Sequence, residues 1–243
     1  MSYGRLGILV LLGIIFTCAP LEAAEDLMAQ GLAAQKAGQH EQAAILLGKY
    51  LEKHPDSVEA RRVRTQALMV LGRLGEALEE VNRGLARRPQ DLGLLMAQGS
   101  ALAGLERRGE AIAIYTRVIA LDPKNAEAYK ERGDNQAQEC NYDEALKDLN
   151  QAVKLDPKNP WGFNKRGMVY FCQGDNEKAA ADFSEAIRVR PDGPHAYFFR
   201  GNMYRYHLNQ PQKAAADYRE GCRLGHPLSC GELEKMGEKP AGQ

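Results

Sequence analysis

Small and apolar positions recur along this chain with a fixed period. Ala43, Ala77, Ala111, Ala145 and Ala179 are 34 residues apart, and twelve residues after each comes a proline: Pro55, Pro89, Pro123, Pro157 and Pro191. Gly31, Gly99, Gly133, Gly167 and Gly201 keep the same register, with Thr65 filling the one gap. Large residues stand around these small ones: Tyr129, Phe163 and Tyr197 in one stretch of each unit, Tyr115, Phe183 and Tyr218 in the other. Each unit predicts two helices that approach closely at the small positions, and the prolines end every second helix because proline cannot continue a helical turn.

The polar positions between these stretches support the same division. Ser57, Asp91, Asn125 and Asn159 precede the first helices, where a side-chain oxygen can accept an orphan backbone N–H. Pro160 and Pro194 fall in first turns, where a missing N–H costs no hydrogen bond. Gly38, Gly72 and Gly174 mark the turns within a unit, a position that favours positive φ. The second unit departs from the pattern, with Arg61 and Arg64 at positions that are otherwise apolar. Their helix is expected to be less buried, or their stems to snorkel. The sixth unit carries one extra residue, expected in the Leu208–Gln212 turn, and Ala214 takes the alanine position that the period gives to Lys213.

On these residues the sequence resembles the tetratricopeptide repeat family, whose period is 34 residues. The resemblance covers residues 24–226 and implies an all-α, right-handed superhelical solenoid. Six repeats are expected over 24–57, 58–91, 92–125, 126–159, 160–193 and 194–226, with a cap over 227–238 and a disordered tail over 239–243. The cysteine-spaced segment Cys222 to Cys230 is similar to the Sel1-like branch of helical repeats, which implies a disulfide across the last hairpin. Cys140 and Cys172 sit near the inner turns of adjacent repeats, whose first helices pack at ~8–10 Å. A second bridge there is feasible but not demanded.

The N-terminus reads as a targeting segment. Arg5 precedes an apolar run from Leu6 to Phe16, then Pro20 and the small residues around Ala23. Residues 1–23 are expected to be a signal peptide, which makes the protein exported, periplasmic or secreted. The alternative is a membrane anchor through residues 6–19, or lipid on Cys18; the run is shorter than the ~20 residues a spanning helix needs. Four cysteines then remain in the mature chain, an even number that suits an oxidising compartment.

The net charge is zero, with 32 bases and 32 acids, which gives no global field toward nucleic acid. The basic cluster Arg61, Arg62, Arg64, Arg73, Arg83, Arg87 and Arg88 is offset by Glu59, Glu76, Glu79 and Glu80, with Glu79 and Glu80 read as a solvated face. The five histidines share no metal-ligand spacing, and no Cys-x-x-Cys pair occurs. No catalytic residue, cofactor or metal is therefore expected.

Function is expected on the surface of the first helices. The resemblance implies that these line a concave groove into which Lys130, Asp134, Trp161, Asn164, Met168, Phe198, Asn202 and Arg205 point. Mixed aromatic, amide and charged residues suit an extended peptide or a helix of a protein partner. The carboxylate clamp of chaperone-binding relatives is echoed only loosely, by Lys130, Asn164, Asn202 and Arg205 at unmatched positions, and is not assigned. The rival reading is an assembly subunit of an envelope complex, docking by its convex face or terminal repeats.

Overall fold

The computed structural model describes residues 19–238, with side chains from residue 26 onward. The expected signal segment through residue 18, with Cys18, and the expected tail at 239–243 lie outside the described residues. Within them the chain is a run of helical hairpins. The first helices are α1 (Ala19–Lys36), α3 (Val58–Val70), α5 (Leu92–Gly104), α7 (Ala126–Gln138), α9 (Pro160–Cys172) and α11 (Pro194–Asn202). Their partners are α2 (His40–Lys53), α4 (Leu74–Leu85), α6 (Arg108–Leu121), α8 (Tyr142–Leu155), α10 (Asn176–Val189) and α12 (Pro211–Arg223). A last helix, α13 (Pro227–Lys235), closes the array. Helix α1 runs through the expected repeat start at residue 24.

Each helix packs on the next in sequence, and in addition α1, α3, α5, α7 and α9 touch one another in series. First helices of neighbouring repeats are thus the crowded layer, which places the inner, concave side of the solenoid on them.

The local signals are realised at the atomic level. Ser57, Asp91 and Asn125 accept the N–H of Ala60, Leu94 and Ala128 at 3.3, 2.9 and 3.0 Å, and Asn159 accepts that of Trp161 at 3.0 Å. Gly38, Gly72 and Gly174 have φ of 73°, 72° and 80°, and at the same register Glu106 and Cys140 adopt φ of 60° and 61° without being glycine. The close approach shows best at Gly99, where a Cβ would lie 2.6 Å from the ring of the fully buried Tyr115.

The extra residue of the sixth repeat is not in the Leu208–Gln212 turn. It is absorbed one turn earlier, in a π-helical turn over Met203–His207. The N–H of Leu208 reaches the carbonyl of Met203 at 2.9 Å, five residues back, a wider ring that holds one more residue. Register returns at Ala214, which is fully buried.

Arg61 and Glu80 also differ from expectation. Arg61 is 6% exposed and neither loosens α3 nor snorkels; Glu80 is 3% exposed and is not on a solvated face. Glu80 accepts from Arg61 at 3.3 Å and Arg83 at 2.7 Å and forms an ion pair with Arg64 at 3.1 Å, while Arg61 also donates to the Pro55 carbonyl at 2.8 Å. One carboxylate is thus the common counter-charge of three guanidinium groups from α3 and α4.

This cluster is the second repeat's version of a wider device. Arg132, Arg166 and Arg200 each make a two-pronged ion pair with the second helix of their own repeat, on Asp148, Asp182 and Asp217, at 2.6–2.8 Å. The remaining nitrogen of each fork reaches back to the preceding repeat's second helix, on Thr116, Asn150 and Ser184, at 2.8–3.0 Å. Each arginine therefore ties three helices, and the planar fork makes both directions available at once. Arg64 and Glu80 occupy the same register, and Gly48 leaves the room the Arg64 guanidinium needs, 3.2 Å from where a Cβ would stand. In the third repeat Gln98 and Ile114 break the ion pair, yet Gln98 keeps the backward link, donating to Asn82 at 2.8 Å.

At the C-terminal end Cys222 and Cys230 are joined by a disulfide with Cα atoms 4.7 Å apart. Helix α13 is seated by Leu233, buried against Ala214, Ala215 and Tyr218. Its N-cap is His226, whose Nδ1 accepts the Ser229 N–H at 3.3 Å and lies 3.0 Å from the Ser229 hydroxyl. Accepting there requires an unprotonated Nδ1. Burial, and then the facing His195 imidazole of α11, lower the His226 pKa from 6.5. A neutral imidazole preferred by the folded state gives stability that is present above 6.5 and lost as pH falls below it. Thermal scans between about pH 7.5 and pH 5 should show wild type losing more stability than His226→Asn, which keeps a cap that does not titrate. Parallel losses in the two proteins would show that His226 does not set the acid limit.

Candidate functional site

The residues expected in the groove divide into two sets. Lys130 is buried and does not reach the groove: its ammonium is held by Glu127 at 2.7 Å and Glu131 at 3.1 Å, a local pairing that draws the side chain back along α7. Asn202 accepts the Tyr218 hydroxyl at 2.7 Å, and Phe198 packs on Tyr218 and His226. Arg205 binds α13, donating to the Glu232 carboxylate at 2.8 Å and its carbonyl at 3.0 Å. The cap takes the place of a seventh repeat and occupies Arg205 of the π-helical turn, while Asn202 is held within its own repeat by α12.

The other four border open space on the first-helix layer. Asp134 of α7 accepts from Lys165 of α9 at 2.7 Å, and the pair spans a cavity of about 370 Å³ lined also by Gln138, Met168 and Cys172. One repeat further, Trp161 and Asn164 border a second cavity of about 280 Å³, with Arg190, Asp192 and His195. Trp161 is 43% exposed, with the Arg190 guanidinium 5.9 Å from its ring centroid and the His195 ring at 6.4 Å. The Asn164 carbonyl oxygen is out of solvent and accepts no hydrogen bond. Arg190 and His195 were not singled out from sequence; both sit at repeat boundaries, where the 34-residue register gives them no assigned role.

Cys140 and Cys172 are free and exposed, so the feasible second bridge is not formed in this structure. Their thiols lie beside the Tyr142 hydroxyl, whose pKa is pushed up to about 12, first by its hydrogen bond with Cys140.

The basic cluster of the second repeat is largely spent on internal pairs. Besides Arg61 and Arg64, Arg73 is paired with Glu76 at 2.7 Å and Glu41 at 2.9 Å, Arg83 with Glu80, and Arg87 with Asp56. Among the described residues no group of three His, Cys, Asp or Glu side chains is placed to hold a metal, and no helix is long and apolar enough to cross a membrane.

Paired helices stacked in series, an inner layer of first helices with open cavities and a stapled terminal cap define an α-helical solenoid of the protein-binding scaffold type. The family profile described as Tetratricopeptide repeat matches residues 28–91 and 164–225, more than half of the chain; a second of the same description matches 92–125, and a TPR repeat profile matches 141–174. The chain belongs to the tetratricopeptide repeat family. Among solved structures, it is similar to a tetratricopeptide repeat protein from Parabacteroides merdae, at 16% identity and TM-score 0.65, over 88% of this chain and 98% of that one. A thermophilic TPR protein from Thermus thermophilus gives 21% identity and TM-score 0.60, over 80% and 98%. MamA from Desulfovibrio magneticus gives 22% and 0.59, over 72% and 94%. At these identities the likeness is one of fold. No curated protein matches the sequence.

Proposed function

We propose that this protein is a non-enzymatic scaffold of the periplasm or cell envelope that holds a peptide or protein partner on its first-helix face. The observation that carries the reading is a pair of cavities along α9, one shared with α7 and one with α10 and α11, the second bordered by the one Trp of the chain, half exposed. A half-exposed Trp at a cavity is the kind of anchor in which binding energy concentrates. Export is supported by the basic, apolar and small-residue order of residues 5–24, and by the Cys222–Cys230 disulfide, which persists in oxidising compartments.

The test places a photo-crosslinking amino acid either at Gln138, beside the α7–α9 cavity, or at Lys154, exposed on the second helix α8. Crosslinks to one defined partner from position 138, absent from position 154, are expected. The opposite distribution would favour docking through the convex face. Mass spectrometry of the same preparation is expected to find an N-terminus at Ala24; an intact Met1 or a lipid on Cys18 would overturn the soluble, exported reading.

A further inference from the structure

We propose that the cavity bounded by Trp161, Asn164, Arg190 and His195 receives an acidic side chain, Asp or Glu, from the extended segment of the partner. This rests on the groove reading above and adds the chemistry of its occupant.

Most arginines that are drawn into the body of the solenoid have a carboxylate partner: Arg61, Arg64, Arg132, Arg166, Arg200 and Arg205. Arg190 is not drawn in but stays exposed at the side of the array. It lines a cavity, is stacked toward the Trp161 ring, and has no ion pair among the described residues. Stacking on an aromatic face restrains the planar guanidinium while leaving its two-pronged edge free, the arrangement that suits a carboxylate.

The repeat itself gives no reason for this arginine. At the same register the third and fourth repeats have Asp122 and Asp156, which accept the N–H of Lys124 and Lys158 at 3.1 and 3.2 Å and so brace the turn. Arginine cannot accept, so that bracing is given up in the fifth repeat. Arg88 shares the position in the second repeat, but the residue corresponding to Trp161 there is Glu59. The fourth repeat likewise has Glu127 where the fifth has Trp161. Two departures from the repeat meet only here, in one cavity.

The remaining groups narrow the ligand. His195 supplies a second donor at the rim. Asp192, also at the cavity, repels a second acid beside the first, so a single acidic residue is favoured over an acidic run.

Trp161 is the only Trp, so its fluorescence reports on this cavity alone. The full chain is titrated with acetyl-Ala-Glu-Ala-amide and with the same peptide carrying Gln or Lys in place of Glu, each to about 10 mM, a range that reaches millimolar affinities. The Glu peptide should give a saturable change, the Gln and Lys peptides a response at least tenfold weaker. Arg190→Gln should weaken the Glu peptide at least tenfold, and Arg190→Lys should restore it only in part, since lysine is a point charge without the fork. Arg190 is exposed, and circular dichroism would verify that both variants keep the wild-type helix content.

Equal responses to the three peptides, indifference to Arg190→Gln or no saturable response would each overturn the assignment. Crosslinks from position 138 that persist in any of those cases would leave the groove reading standing and remove only the acidic side chain. Loss of those crosslinks as well would remove both.

Discussion

Glu80→Gln is expected to destabilise the protein by about 3–5 kcal/mol, the range for removing one partner of a buried ion pair. Glu80 is the carboxylate on which Arg61, Arg64 and Arg83 converge, and both it and Arg61 are almost fully buried. Glutamine preserves the shape and one acceptor but not the charge, so the Arg61 and Arg64 guanidinium groups would remain in the interface uncompensated. Their burial, not the lost hydrogen bonds, carries the cost. Repeat arrays can unfold in parts, so the readout is the first transition in urea denaturation. Glu79→Gln, one residue away and exposed, is the control and should stay within about 0.5 kcal/mol of wild type. Equal effects from the two substitutions would show that the buried cluster contributes nothing.

The second large effect concerns the C-terminal cap. Replacing Cys222 and Cys230 together with serine is expected to cost about 2–3 kcal/mol, from the chain entropy of the short closed loop. The loss should be local, because α13 covers Tyr218 and Ala215, and its Glu232 anchors Arg205 and Tyr206. Freed of its tether, α13 leaves an open apolar end, the hazard that terminal repeats exist to remove. Dithiothreitol should lower the melting temperature of wild type toward that of the double variant and leave the variant itself unchanged. Cys140 and Cys172 are already free and contribute nothing to that shift. A wild-type melting curve indifferent to reductant would contradict this role for the disulfide.

Much of the fold is legible because its signals are local. The 34-residue spacing of alanine and proline, the caps at Ser57, Asp91, Asn125 and Asn159 and the turn glycines all act within a few residues of where they stand. Glu80 was not legible, since a charged residue on an amphipathic helix is ordinarily solvated, and its partners Arg61 and Arg64 lie 19 and 16 residues away on another helix. The signal existed nonetheless: Arg132, Arg166 and Arg200 share the 34-residue register, and Asp148 and Asp182 share it with them. The sequence does not place the extra residue in a π-helical turn, because the anchors on either side, Gly201 and Ala214, fix only that one residue is added between them.

The groove was partly legible for a related reason. Repeat position tells which helix face a residue occupies, which suffices to set Trp161, Asn164 and Met168 beside open cavities. It does not tell whether a long side chain finds a partner inside the fold. Lys130 and Arg205 do, on Glu127, Glu131 and Glu232. Arg190 is the converse, a residue at a repeat boundary whose place in a cavity appears only when α10 meets α9 and α11.

The most direct measurement is a crystal structure of the chain bound to the partner it crosslinks. The groove reading predicts an extended segment or helix along α7, α9 and α11, in contact with Trp161, Asn164 and Met168. A partner seated instead on the outer faces of α8, α10 and α12, or on α13 alone, would contradict it.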